Sequence, residues 1–73
     1  MPKLPISNSI RELRAAQTEM SQLELARLIG VTRQTVNAIE LGKYSPSLEV
    51  AFRIAEVFEK PLEDVFLYER KLS

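Results

Sequence analysis

Apolar residues in this chain recur at spacings of three and four, and each recurring stretch has its own start and stop signals. Ile10 and Leu13 form the first inward pair, behind Ser7, Asn8 and Ser9, any of which can accept a bond from a free helical N–H. Glu12 in the first turn suits the helix dipole, and this helix is expected to fade near Thr18 and Glu19. The second stretch opens with Ser21-Gln22-Leu23-Glu24, a hydroxyl followed three residues later by a carboxylate, which is a capping box. Its inward stripe is Leu25, Ala26 and Ile29, and Gly30 follows as the residue that takes the left-handed conformation without cost. Thr32 is a second N-cap, and Arg33 to Leu41 read as a third helix with Val36 and Ile39 inward and Gly42 as its stop. Ser45 or Ser47 caps a fourth helix, with Pro46 expected in its first turn. Leu48, Ala51, Ile54, Ala55 and Phe58 make the longest amphipathic stripe, broken at Lys60-Pro61. Leu62, Val65 and Phe66 predict a short fifth helix, and Leu67 to Ser73 a tail. β-branched residues never alternate with polar ones over a useful length, so the expected class is all-α with five helices. One domain over 1–73 is expected, its core at about 7–67 and its tails at 1–6 and 68–73.

Only Gly30, Val31 and Thr32 separate the second and third helices, which forces a sharp angle between them. Ala26 is small where the two approach, and Val31 plugs the angle. A short helix, a Gly-led turn and a second short helix make a helix-turn-helix unit, which projects its second helix into a major groove about 12 Å wide. The outward face of that helix has to be polar or small, and Arg33, Gln34, Thr35, Asn37 and Ala38 are. Arg is geometrically suited to guanine O6/N7 and Gln to adenine N6/N7.

The run Ser21-Gln22-x-Glu24-Leu25-Ala26, then Gly30-Val31-Thr32-Arg33-Gln34-Thr35-Val36-Asn37-Ala38-Ile39-Glu40, then Gly42-Lys43-Tyr44-x-Pro46-Ser47-Leu48 resembles the lambda-repressor-like, XRE-type helix-turn-helix family of transcriptional regulators. The resemblance runs from about Ser9 to Phe66 and looks closest to small single-domain members. It implies a compact five-helix domain with major-groove reading by the third helix. It implies base contacts from Arg33, Gln34, Thr35, Asn37 and Ala38, and backbone contacts from Gln22, Thr32, Lys43, Tyr44 and Ser45. It also implies a structural pair between Arg14 and Glu40. Arg14 to Gln22 is a step of eight, one more than is usual in the family, so Arg11 stands as an alternative partner for Glu40. Either the first helix runs a residue longer or the Thr18-Glu19-Met20 loop bulges. Gly is missing from that loop, and Lys60 stands where family members often have Gly.

Composition narrows the reading. The chain has 73 residues, no Cys and no His, which excludes disulfides, zinc fingers and His-based catalysis. An enzyme is not expected, nor a metal, a cofactor or a small-molecule ligand. No apolar run approaches the roughly 20 residues of a membrane span, and the N-terminus lacks a signal-peptide pattern, so the expected compartment is the cytoplasm. At this length no effector domain is expected. Ten Lys/Arg balance ten Asp/Glu, but unevenly: residues 1–43 hold six bases and four acids, and residues 44–73 hold four and six. Bulk charge therefore gives weak nonspecific DNA binding, and base contacts and dimerisation have to supply the rest. The expected function is sequence-specific regulation of transcription by a homodimer on a palindromic operator. The rival is a protein-interaction module on the same fold, an antitoxin or bridging factor whose DNA contacts are secondary.

Overall fold

The computed structural model describes residues 5–17 and 19–68. Five helices form in the order α1 (Ile10–Gln17), α2 (Gln22–Ile29), α3 (Arg33–Glu40), α4 (Leu48–Phe58) and α5 (Leu62–Val65). They are flanked by two short strands, β1 (Ile6–Asn8) and β2 (Phe66–Tyr68). The strands pair antiparallel, with Ile6 opposite Tyr68, Ser7 opposite Leu67 and Asn8 opposite Phe66. The class is therefore not purely helical as expected. The sheet carries the paired backbone out to Ile6 and Tyr68, one residue beyond the expected core at each end, and it claims Phe66 from the expected fifth helix.

Local chemistry places the helix ends. Ser21 Oγ accepts from the Glu24 N–H at 3.0 Å while Glu24 Oε1 accepts from the Ser21 N–H at 3.0 Å, completing the capping box. Gly30, at φ 78°, turns the chain so that its own N–H and that of Val31 both reach the Ala26 carbonyl. Thr32 Oγ1 accepts from the Thr35 N–H at 3.1 Å and starts α3. Gly42, at φ 75°, ends it, with its N–H on the Ile39 carbonyl and the Lys43 N–H on the Ala38 carbonyl. Ser47 is the cap of α4, accepting from the Val50 N–H, so Pro46 lies before the helix rather than inside it. Leu48, the first residue of α4, is exposed and leaves the stripe to Ala51, Ile54, Ala55 and Phe58.

The core gathers one side of every helix: Ile10, Leu25, Ala26, Ile29, Val36, Ile39, Ile54, Ala55, Phe58 and Val65. Each fully buried large side chain among them contributes about 1.5–3 kcal/mol relative to exposure. Leu13, Met20, Val31 and Phe66 pack partly buried against it. Leu23 and Leu28 remain exposed on α2. Among the described residues no helix is long and apolar enough to cross a membrane.

Candidate nucleic-acid interface

The buried stripe of α3 is Val36 and Ile39, which turns the remaining positions outward. Arg33, Gln34 and Asn37 are exposed, and Thr35 and Ala38 are half-buried. Thr32 and Thr35 share a hydroxyl–hydroxyl bond of 2.9 Å at the helix start. Lys43, Tyr44 and Ser45 follow in an exposed loop. The Schellman bonds at Gly42 set where this loop departs, so these three residues continue directly from the end of α3.

Five of the expected site residues form one connected network. Arg14 on α1 grips Glu40 with two bonds, Nε to Oε2 at 2.7 Å and Nη2 to Oε1 at 3.1 Å. Its third donor, Nη1, reaches the Met20 carbonyl at 2.7 Å. The extra residue before Gln22 is taken up in the loop, where Glu19 adopts φ 52°, so α1 keeps Arg14 in register with Glu40. Arg11, the alternative partner, is exposed. Gln22, the first residue of α2, donates from Nε2 to Asn37 Oδ1 and to Glu40 Oε1, each at 3.1 Å. Its Oε1 accepts from Arg33 Nη1 at 3.1 Å. The outward surfaces of α2 and α3 are thus tied together by side chains as well as by the turn. With Arg14 and Glu40 neutralising one another, Arg33 at the start of α3 and Lys43 just after its end are exposed cations.

Two supporting residues lie outside the expected set. Asn8 was legible only as a helix-start candidate. It does accept from the Ile10 N–H at 3.2 Å, and its Nδ2 also donates to the Ile39 carbonyl at 2.9 Å. Arg53 on α4 donates to the Ile29 carbonyl at 3.2 Å, meeting the negative end of α2, and also pairs with Glu49. An Arg facing a helix C-terminus from another element leaves no mark in the local pattern.

A capped short helix, a Gly-led turn and a second helix with a polar outward face define a helix-turn-helix protein. The helix-turn-helix family model matches residues 10–65. The chain belongs to the lambda-repressor-like, XRE-type branch of that family, whose members are transcriptional regulators. It is 47% identical over 64 residues to an uncharacterised helix-turn-helix transcriptional regulator of Methanocaldococcus jannaschii, covering 88% of this chain and 96% of that one. It is also 47% identical over 66 residues to the uncharacterised regulator YgzD of Bacillus subtilis, covering 90% of this chain and 98% of that one. Among solved structures it is similar to the restriction-modification controller protein C.AhdI of Aeromonas hydrophila. The TM-score is 0.68 and the identity 33%, over 75% of this chain and 82% of that one.

Proposed function

We propose that this protein is a sequence-specific double-stranded DNA-binding regulator of transcription, and that it reads a palindromic operator as a homodimer. The observation that carries the reading is the exposure of Arg33, Gln34 and Asn37 on one outward face of α3, beside the start of α2. In this reading α3 enters the major groove, with Arg33, Gln34, Thr35, Asn37 and Ala38 at base edges. Thr32, Lys43, Tyr44, Ser45 and the start of α2 at Gln22 meet the phosphates, which fix register without reading sequence.

One such module reads few bases, so pairing about a two-fold axis supplies affinity and specificity together. Leu67 and Tyr68 are exposed on β2, beside Ile6, Leu62 and Phe66. A second copy of the chain covers this apolar surface. The whole of 1–73 acts as a single DNA-binding domain.

Selection of bound DNA from a random duplex pool tests the reading. The expected product is a palindrome with half-sites one helical turn, about 34 Å, apart. A pool without enrichment overturns DNA reading. An enriched single half-site, with only monomer in sedimentation at micromolar concentration both free and on DNA, overturns the homodimer.

A further inference from the structure

We propose that Glu40 sets the hydrogen-bond polarity of Gln22 and, through it, holds Arg33 ready to read a base. Glu40 is then a positioning residue for specificity as well as one half of an ion pair. The inference rests on the DNA-reading role given to Arg33 above.

The ion pair sets the first constraint. The Glu40 side chain is 6% exposed and that of Arg14 15% exposed, so both are largely withdrawn from water. A carboxylate paired with a guanidinium offers acceptors only. The Gln22 amide end that lies 3.1 Å from Glu40 Oε1 must therefore be its NH2 group. The second hydrogen of that group goes to Asn37 Oδ1. Oε1 is left facing Arg33, whose guanidinium has donors and no acceptor. Turning the amide over would set oxygen against carboxylate at one end and NH2 against guanidinium at the other. Both contacts are repulsive, so the ion pair decides that residue 22 presents an acceptor to α3.

This polarity bears on reading in two ways. Arg33 is an exposed, rotamer-rich side chain, and holding it before DNA arrives lowers the ordering cost of binding. Both Gln22 amide hydrogens are engaged inside the protein in this arrangement, so its backbone N–H is the donor it can offer a phosphate without disturbing Arg33.

The test uses Glu40→Gln, Gln22→Met and their double variant on the full chain, with Arg33→Ala to identify the base position that Arg33 reads. Affinities are measured for the selected duplex, for that duplex changed at the Arg33 position, and for an unselected duplex; urea melts report folding. Glu40→Gln should lower discrimination at the Arg33 position about tenfold, the scale of a lost oriented base contact. Affinity for the unselected duplex, set by phosphate charge, should move by less than about twofold. Gln22→Met should give the same loss, and Glu40→Gln should add nothing to it. Equal weakening on all duplexes, or additive losses in the double variant, overturns the relay. Gln22→Met leaves the Arg14–Glu40 pair in place, so if Glu40→Gln does not fold, full discrimination by Gln22→Met overturns the relay by itself. The mobility of the Arg33 side chain in DNA-free protein, read by NMR relaxation, separates the relay from the DNA-reading role. Arg33 should be more ordered than the exposed Arg27 and should lose that order in Glu40→Gln. Equal mobility of Arg33 and Arg27 in the unmodified protein overturns the relay whatever the DNA results.

Discussion

Asn8 and Ile39 join the first strand to the last turn of α3, through a 2.9 Å bond from the Asn8 amide to the Ile39 carbonyl. The same side chain accepts from the Ile10 N–H, so one residue starts α1 and satisfies a carbonyl near the end of α3. Asn8→Ala removes both bonds at a partly buried site and should destabilise the fold by about 1–2 kcal/mol. Urea unfolding checks this, and an unchanged midpoint would show that water replaces both bonds freely.

Gln34 is exposed on α3 one residue after Arg33, and in the proposed reading it meets adenine. Gln34→Ala should relax preference at a single base position, at a cost of about 1–3 kcal/mol on the selected duplex. Competition with duplexes altered one position at a time is the measurement. A loss spread evenly over all positions would remove Gln34 from the base-reading set.

Lys43 stands exposed just beyond the Gly42 turn, and in the proposed reading it meets phosphates whatever the sequence. Lys43→Ala should weaken selected and unselected duplexes alike. It should also reduce the slope of log affinity against log salt by about one. A salt titration of both duplexes decides it.

Glu59 ends α4 in the left-handed region at φ 53°, with its N–H on the Glu56 carbonyl and the Lys60 N–H on the Ala55 carbonyl. That conformation costs a side-chain-bearing residue about 1–2 kcal/mol, and glycine escapes it while losing more chain entropy on folding. Glu59→Gly should therefore stabilise by about 0.5–1 kcal/mol net. Thermal melting should show a rise on the scale of about 4–8 °C per kcal/mol for a domain of this size. Gly30→Ala should act in the opposite direction, because Gly30 sits at φ 78° with Arg53 Nη1 3.4 Å from where a Cβ would stand.

The helices nearest the interface were legible because their ends are written in adjacent residues. Ser21 with Glu24, Gly30, Thr32 and Gly42 each act within a few positions of themselves. The sheet was not legible, because strands of three residues carry no usable period and β1 pairs with a segment at the far end of the chain. Phe66 accordingly read as part of a helix, although its backbone is extended. Leu48 fits the spacing of the α4 stripe, yet at the first position of the helix it lies beyond the packed core. At the candidate interface, residue types were legible on α3. The Arg14–Glu40 pair was legible only through the family resemblance, and the bonds from Gln22 to Arg33, Asn37 and Glu40 were not legible, since they depend on how α2 meets α3.

The order of strand pairs gives the two chain ends a shared mechanical fate. Ile6 with Tyr68 is the outermost pair, and Asn8 with Phe66 the innermost. Tension applied between the ends loads this ladder like a zipper rather than in shear, so the pairs open in succession from the outside. Helix α3 is shielded from that pull until the third pair opens, and the Asn8 bond to the Ile39 carbonyl then carries load into it.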